Sequence, residues 1–361
     1  MHTQSSFRLL VVRLGAMGDI LHALPAVTAL RRAHPAWHVG WVVDPRWQAL
    51  LRAGTEGTRE KGNESARDST MPLIDRLHFA PSRDWKRDPF SAQTQSEIAA
   101  LRRELREASY DAVLDLQGAI RSAVIARMTG CSRRIGEAKP REWPAHWLFT
   151  ERIATHGAHV IEQDVELASA IAGDPLKIIE PQLPVNPEAE SWCAAWLAEH
   201  VATAQPLAFI APGAGWGAKR WPPERYAIVT AALIQRGFTV LVNAPPREES
   251  LAAPIVTAGA TPFTATLPQL IALARRIAIC IAGDTGPLHL ACALGRPVIG
   301  IYGPTDPSRN GPFGTRARVL RSPASRRDYT HRDAADPSLL TIMPEDVLRA
   351  ADELLAEKGA N

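Results

Sequence analysis

Apolar and polar positions along this chain form two separate series of alternating strand and helix patterns. The apolar run FRLLVVR at 7–13 is typical of a buried strand, and apolar residues at helical spacing follow at 19–33. The rest of the first half predicts, in chain order, a strand at 38–44, a strand at 74–80, a helix at 94–109, a strand at 110–117 and a helix at 119–129. This alternation predicts a doubly wound parallel sheet.

The alternation begins again after a polar, proline-rich stretch at 180–187, which is typical of a linker. The second half predicts strands at 206–211, 238–243, 277–282 and 297–302. It predicts helices at 188–200, 223–236, 247–259, 267–276, 286–294 and 344–358. The glycine- and serine-rich residues 53–70 interrupt the first half and are expected to form an exposed loop insertion.

A chain of 361 residues is long for one core and suggests two domains. We therefore expect an α/β fold with two Rossmann-like lobes, one at 1–180 and one at 181–343. The last helix, within 344–361, is expected to pack back on the first lobe. Ligands of such sheets bind at the carboxyl ends of the strands, so the cleft between the lobes is the expected site.

Composition narrows the class of protein. Hydrophobic residues make up 46% and charged residues 22%, which is ordinary for a globular protein. A formal net charge of +3 shows no nucleic-acid signature, so we expect no nucleic-acid partner. The four cysteines form no CxxC pair, which favours reduced thiols in a cytoplasmic protein. Without a signal peptide or a stretch of about 18 apolar residues, membrane contact is expected to be peripheral.

The run AGDTGPLHLACALGRPVIGIYGPTDP places Asp284, Thr285 and Gly286 between a predicted strand and a predicted helix. Pro287 suits the first helical turn, where no amide donor is needed. The free N–H groups of a helix N-terminus bind phosphate. Gly286 lets an anion approach the backbone closely, Thr285 adds a hydroxyl donor, and His289 lies one turn inside the helix, within expected reach of the same anion. Asp284 is expected to hold the loop by accepting hydrogen bonds from backbone N–H groups. The alternative is a capped helix without a ligand.

Three motifs in order resemble the lipopolysaccharide heptosyltransferase family. They are RLGAMGDILHALPA (13–26), APGAGWGAKRWPPERY (211–226), and DTGPLHLACALGRP followed by YGPTDP. The resemblance implies the GT-B fold and inverting, metal-independent transfer of heptose from ADP-heptose, with no cofactor. The segments DLQGAIRSA (115–123) and RDWKRDPFS (83–91) are similar to the subgroup that adds the first heptose to Kdo of Kdo2-lipid A. Such an enzyme works on the cytoplasmic face of the inner membrane.

The resemblance implies that Asp19 is the general base, which takes the proton of the acceptor hydroxyl. A carboxylate at a strand-to-helix turn is favoured in its ionised form by the helix N-terminus. The alternative is that Asp19 only caps the helix, and the two roles are compatible.

On the donor side, neither a DxD cluster nor an HExxH motif is present, so no metal site is expected. Lys219, with Arg220 as the fallback, is the expected charge on the leaving diphosphate. The backbone N–H groups of Ala214 and Gly215 are expected to donate to the same diphosphate as those at Thr285 and Gly286. By resemblance a glutamate contacts the ribose of the nucleotide, and the candidates are Glu248 and, as the alternative, Glu249.

A basic region is expected to bind the phosphorylated, carboxylated acceptor. By resemblance its main residues are Arg83, Arg87, Arg127 and Arg141. Three nearby aromatic residues are candidates for lipid contact, with burial in the core as the alternative. They are Trp143, Trp147 and Phe149.

Two alternative functions stay open. One is a related GT-B transferase with another acceptor or sugar, such as the second-heptose enzyme. The other is a non-catalytic nucleotide-binding protein with two Rossmann-like lobes. The sequence does not fit NAD binding, because no predicted strand is followed by GxGxxG. The turn Gly15-Ala16-Met17-Gly18-Asp19 has an acidic residue where the phosphate of NAD would lie.

Overall fold

The computed structural model describes residues 6–52, 72–201 and 205–357. The chain divides into two compact units, Met1–Pro184 and Val185–Asn361. Each contains one sheet whose strands are all parallel, as the alternating pattern predicts. The insertion expected at 53–70 lies outside the described residues.

The first unit alternates strands and helices around a sheet with the order β3-β2-β1-β4-β5-β6. Its elements are β1 (Arg8–Val12), α1 (Met17–Ala33), β2 (His38–Val43), β3 (Arg76–Phe79), α2 (Ser82–Arg87), α3 (Ala92–Glu107), β4 (Ala112–Asp115), α4 (Ile120–Met128), β5 (Arg134–Glu137), β6 (Glu151–Ile153) and α5 (Val160–Ala172). The apolar central strands β1 and β4 are buried on both faces, which is typical of parallel sheets covered by helices.

The order of these strands reverses between β1 and β4. The chain runs from β1 outward to β3 and then crosses back to β4 on the other side of β1. Val12 and Asp115, the last residues of β1 and β4, are direct partners in the pairing. The loops that follow the two strands therefore leave from one point of the sheet edge, which is where α/β sheets bind ligands.

The second unit repeats this plan with the strand order β12-β11-β10-β7-β8-β9. Its elements are α6 (Pro187–His200), β7 (Leu207–Ala211), α7 (Pro223–Gln235), β8 (Thr239–Asn243), α8 (Glu249–Thr257), β9 (Thr261–Phe263), α9 (Leu267–Ala274), β10 (Ile279–Gly283), α10 (Gly286–Ala293), β11 (Val298–Tyr302), α11 (Pro307–Asn310), β12 (Ala317–Arg321) and α12 (Pro344–Ala356). The strand order reverses between β7 and β10, which pair from Ile279 and Ala208 to Ala282 and Ala211.

Helix α12 belongs to the second unit. It packs against α7, β11 and β12, and its Val347, Ala351 and Leu354 are fully buried in that core. The expectation that the end of the chain packs on the first lobe stays a prediction. No helix within the described ranges combines the length and the apolar character needed to cross a membrane.

Candidate functional site

In the second unit, the strand order reverses between β7 and β10, and we call this place the β7–β10 switch point. It holds a compact cluster of charged side chains. Lys219 ends the short 3-10 turn Gly217–Lys219 after β7, and Asp284 follows β10. Lys219 Nζ lies 2.6 Å from Asp284 Oδ2, and His289 Nε2 donates to Asp284 Oδ1 over 3.0 Å. The three side chains are only 10%, 12% and 6% exposed. The parallel pairing of β7 and β10 thus brings together residues from two of the sequence motifs.

Asp284 is held as a carboxylate by this cluster. Burial alone would raise its pKa, but the hydrogen bond from His289 and the charge of Lys219 outweigh burial, and the pKa lies well below its ordinary value. The hydrogen bonds of Asp284 go to side chains rather than to the backbone N–H groups expected from the sequence. Asp284 therefore orients Lys219 and His289.

The N-terminus of α10 lies beside the cluster. Thr285 is the N-cap residue, but no described side chain caps this helix, so its first N–H groups keep their capacity to donate. The Oγ1 atom of Thr285 is buried and finds no hydrogen-bond partner among the described residues. Gly286 opens the helix and Pro287 occupies the first turn, as predicted. This arrangement suits an anion that accepts from both the amides and the hydroxyl.

The loop after β8 approaches the loop after β7 at one point. An ideal Cβ on Gly213 would lie 1.9 Å from Glu248 Oε2, so only glycine admits this carboxylate. Glu248 is half-buried, and burial raises the pKa of its carboxyl group, whereas the charge of Arg220 acts in the opposite direction. Glu249 is exposed in the first turn of α8. Of the two candidate glutamates, Glu248 lies against the loop that contains Ala214.

Residues that are not among the predicted site residues cover the turn of Lys219. The Lys219 ammonium lies 4.6 Å from the ring centre of Trp216, and this ring stacks on His331 at 4.4 Å. Ala218 N donates to Arg332 O over 2.9 Å. The irregular segment 328–336 therefore lies against the loop, while Gly215 stays exposed and Arg220 donates weakly to Ala214 O. No periodic pattern marks such a segment before the fold is known.

Asp19 lies in the first turn of α1, at the switch point of the first unit. Its Oδ2 accepts from Ala16 N over 3.0 Å, and its Oδ1 lies 3.4 Å from a guanidinium nitrogen of Arg13. The Asp19 side chain is 24% exposed. Ala16 rather than Asp19 is the N-cap residue, so Asp19 supports the start of α1 from the third helical position, and its carboxylate stays accessible.

Gln117 fixes the loop that carries Asp19. Its Oε1 accepts from Leu14 N over 2.9 Å, and its Nε2 donates to Gly15 O over 3.1 Å. Trp41 Nε1 donates to Arg13 O over 3.0 Å from the neighbouring strand β2. These bonds satisfy backbone groups of the loop with side chains from both neighbours of β1. The motif DLQG contains Gln117, but its sequence alone does not reveal this function.

Asp115 in turn fixes Gln117. Its Oδ1 accepts from Gln117 N and Gly118 N, each over 2.8 Å. Asp115 is buried, and burial raises the pKa of its carboxyl group to about 6 despite these bonds.

The four predicted acceptor arginines lie on three separate segments of the first unit. Arg83 and Arg87 lie on α2, which follows the edge strand β3, and Arg141 adjoins Glu142, whose N donates to Gly118 O. Arg127 is in the last turn of α4, roughly 10 Å along the axis from the start of that helix. All four side chains are exposed, and none is paired with an acid within the described ranges.

The three aromatic candidates for lipid contact differ in exposure. Trp143 and Trp147 are exposed on the 3-10 segment Trp143–Leu148. Phe149 is buried against Gly136 and packs with Ala123, so it belongs to the core, as the alternative expected, and does not contact lipid. Among the described residues, no group of three or more His, Cys, Asp or Glu side chains is placed to hold a metal ion.

Comparison with known proteins agrees with this architecture. A model of glycosyltransferase family 9 (heptosyltransferase) matches residues 98–337. Lipopolysaccharide heptosyltransferase 1 of Escherichia coli (strain K12) is 30% identical over 338 residues, covering 88% of this chain and 94% of the relative. Lipopolysaccharide heptosyltransferase 2 of the same strain is 26% identical over 288 residues, covering 73% and 81%.

One solved structure shows the likeness of the fold. The E. coli heptosyltransferase WaaC with ADP superposes with a TM-score of 0.73 at 24% identity, covering 96% of this chain and 100% of that one. The expected α/β GT-B fold with two Rossmann-like lobes is therefore confirmed.

The buried Asp115 predicts a specific pH dependence of stability. Between the ordinary pKa of 3.8 and the raised value of about 6, the folded state keeps a proton that the unfolded chain releases. The free energy of unfolding therefore falls as pH rises through this interval, by on the order of 3 kcal/mol. Asp115→Asn cannot ionise and keeps the acceptor for Gln117 N, so it should lose this decline.

Urea unfolding of both proteins at several pH values checks this prediction, because the other carboxyl groups are common to both. The stability of Asp115→Asn relative to the wild type should rise between pH about 4 and about 7. A difference that does not change with pH would contradict the raised pKa.

Proposed function

Because the chain belongs to glycosyltransferase family 9, the heptosyltransferases, we propose that it transfers heptose from ADP-heptose to Kdo of Kdo2-lipid A, with inversion. The observation that carries the donor side is the β7–β10 switch point. Lys219, the uncapped N-terminus of α10 and the unpartnered hydroxyl of Thr285 meet there. Together they offer positive charge and several N–H and O–H donors to a diphosphate.

Lys219 serves the diphosphate without leaving Asp284. An ammonium group has three N–H donors, so one is directed to Asp284 and the others are available for phosphate oxygens. His289 supplies a second partner to Asp284, which limits the repulsion between this carboxylate and the ligand. As the bond from the sugar carbon to phosphate breaks, charge grows on the leaving ADP, and these donors stabilise it. The reaction then needs no divalent metal and no cofactor.

Glu248 is the proposed ribose contact. Its carboxylate is half-buried beside Gly213; burial raises its pKa, and the nearby charge of Arg220 opposes this effect. A partly buried carboxylate accepts strongly from hydroxyl groups. The ADP named with the WaaC structure is consistent with an ADP-containing donor.

Asp19 is the proposed base for the acceptor. The acceptor oxygen forms the new bond to the sugar carbon, the bond to ADP breaks, and the hydroxyl proton passes to Asp19. Arg13 and Ala16 hold the carboxylate in place, and Gln117 holds the loop beneath it. A weak base suffices when the proton leaves late, after the sugar has gained cationic character.

The first-heptose acceptor is favoured over the second. The alignment with heptosyltransferase 1 extends over 88% of the chain, compared with 73% for heptosyltransferase 2. The alternative is therefore the second-heptose reaction or another GT-B transfer. We place the enzyme on the cytoplasmic face of the inner membrane, where a lipid-anchored acceptor of this kind is made.

A transfer assay tests the proposed function directly. ADP-heptose labelled in the sugar is incubated with Kdo2-lipid A or with heptosyl-Kdo2-lipid A, with EDTA present throughout. Label should move to Kdo2-lipid A. Transfer only to the heptosylated lipid would establish the alternative, and ADP-heptose binding without turnover would establish a non-catalytic protein. Activity restored by adding magnesium in excess of EDTA would contradict metal independence.

Asp19→Asn should separate the base from the cap. The variant keeps an acceptor for Ala16 N but cannot take a proton, so kcat should fall about 10²–10⁴-fold. Asp346→Asn is a matched control, because Asp346 makes the same first-turn bond to Met343 N in α12. Melting temperature and ADP-heptose affinity should stay near wild type in both variants. A nearly normal kcat for Asp19→Asn would leave Asp19 as a helix cap alone.

Lys219→Gln should weaken ADP binding about tenfold or more, because a charge-assisted contact to the diphosphate is lost. Lys177→Gln, an exposed lysine of the first unit, is the control and should bind ADP normally. Titration calorimetry gives both affinities, and Lys219→Arg should recover part of the loss. Unchanged affinity in a folded Lys219→Gln protein would place the diphosphate elsewhere.

The acceptor arginines are distinguished by their position. Arg141→Ala should raise the KM for the acceptor and leave ADP-heptose affinity unchanged, because Arg141 adjoins the loop after β4. Arg127→Ala is matched in residue type and exposure but lies at the far end of α4, so its effect should be smaller. Steady-state kinetics with varied acceptor measures both. A larger effect of Arg127→Ala would reverse this assignment.

A further inference from the structure

The first unit exposes a group of large apolar side chains on two elements that pack together. On α4, Ile120 is 43% and Val124 is 39% exposed. On the 3-10 segment Trp143–Leu148, which packs on α4, Trp143 is 55% and Trp147 is 68% exposed. We call these four residues the α4 apolar surface. Large exposed apolar side chains on elements that pack together are typical of an interaction site.

The α4 apolar surface is presented by a well-packed scaffold. The opposite side of the segment Trp143–Leu148 buries Ala145, which packs with Ala123 of α4 and with Phe149. The carboxylate of Glu142 accepts from Ile120 N over 2.8 Å and so joins the segment to the start of α4. The Trp143 ring stacks on His146 at 4.7 Å. Because the small buried residues occupy the interface, the tryptophans stay on the outer side.

Basic residues surround this surface, and their charge identifies the partner. The exposed basic side chains on α4 and in the neighbouring loops are Arg121, Arg127, Lys139, Arg141 and Arg152. Arg152 Nε donates to His146 O over 3.0 Å, which places its guanidinium group beside the aromatic segment.

The acids of the same region are engaged within the protein. Glu142 accepts from Ile120 N, Glu151 pairs with Arg133 at 2.8 Å, and Glu137 accepts from Thr155 Oγ1. The face therefore combines exposed tryptophans with an excess of positive charge. Tryptophan prefers the headgroup level of a bilayer, and arginine and lysine are attracted to anionic headgroups.

We infer that the α4 apolar surface docks the enzyme on a bilayer that contains anionic lipid, with Trp143 and Trp147 inserted at the headgroup level. The surface begins at the start of α4, at the same sheet edge as Asp19 and Arg141. Docking there keeps this edge close to an acceptor that is anchored in the membrane. The purpose of docking rests on the proposed function, but the binding itself does not.

Co-sedimentation with vesicles, without donor or acceptor, tests the inference. The full chain should bind phosphatidylcholine vesicles that contain phosphatidylglycerol, and added salt should weaken the binding. The double variant Trp143→Ala, Trp147→Ala should bind at least about tenfold more weakly, since two apolar side chains no longer insert. Brominated lipid should quench part of the wild-type tryptophan fluorescence, and the double variant should lose that part.

Tyr329→Ala is the matched control, because Tyr329 is 57% exposed on the second unit and should not affect vesicle binding. An equal loss in this control, or unchanged binding of the double variant, would overturn the inference. Self-association that the double variant abolishes, in the absence of vesicle binding, would instead identify a second copy of this chain as the partner.

Activity assays distinguish this inference from the proposed function. With a water-soluble Kdo acceptor that lacks acyl chains, the double variant should keep wild-type kcat and KM. With Kdo2-lipid A embedded in vesicles its rate should fall. Loss of activity on the soluble acceptor would place the tryptophans in the acceptor site and overturn docking. Absence of heptose transfer by the wild type, together with normal vesicle binding, would contradict only the proposed function.

Discussion

Parallel pairing of two central strands in each sheet is the constraint on which both candidate sites depend. The pairing of β1 with β4 brings the loop of Asp19 next to Gln117. The pairing of β7 with β10 brings Lys219 next to Asp284. In both units the strand order reverses between the paired strands, and the following loops leave room for a ligand at the carboxyl edge. A change that shifted either register would separate the functional side chains.

Different interactions stabilise the two candidate sites, each within its own unit. In the second unit an ionised Asp284 is buried with Lys219 and His289, so removing either partner leaves a charge that burial disfavours. In the first unit Gln117, a neutral amide, satisfies a backbone donor and a backbone acceptor of the Asp19 loop. The ionic cluster suits a site that receives an anion. The amide suits a loop that must keep one shape around the carboxylate it carries.

Much of the fold could be predicted from the sequence, because long apolar repeats such as that of α1 identify their elements locally. The short strands β5, β6, β9 and β12 escaped prediction because they have three to five residues and carry charged residues or proline. Residues 130–180 yielded no predicted element, although α5 has a helical repeat of apolar residues.

For the site, motifs located Lys219, Asp284 and Thr285, which tertiary pairing then brought together. The bonds of Gln117, the raised pKa of Asp115 and the stacking of Trp216 on His331 depend on residues far apart in the chain. The β7–β10 switch point is the proposed site of the donor diphosphate. In a crystal structure with ADP, both phosphate groups should lie within hydrogen-bonding distance of Lys219 Nζ and the first amides of α10. A diphosphate bound elsewhere, with the pair of Lys219 and Asp284 left without a ligand, would contradict this proposal.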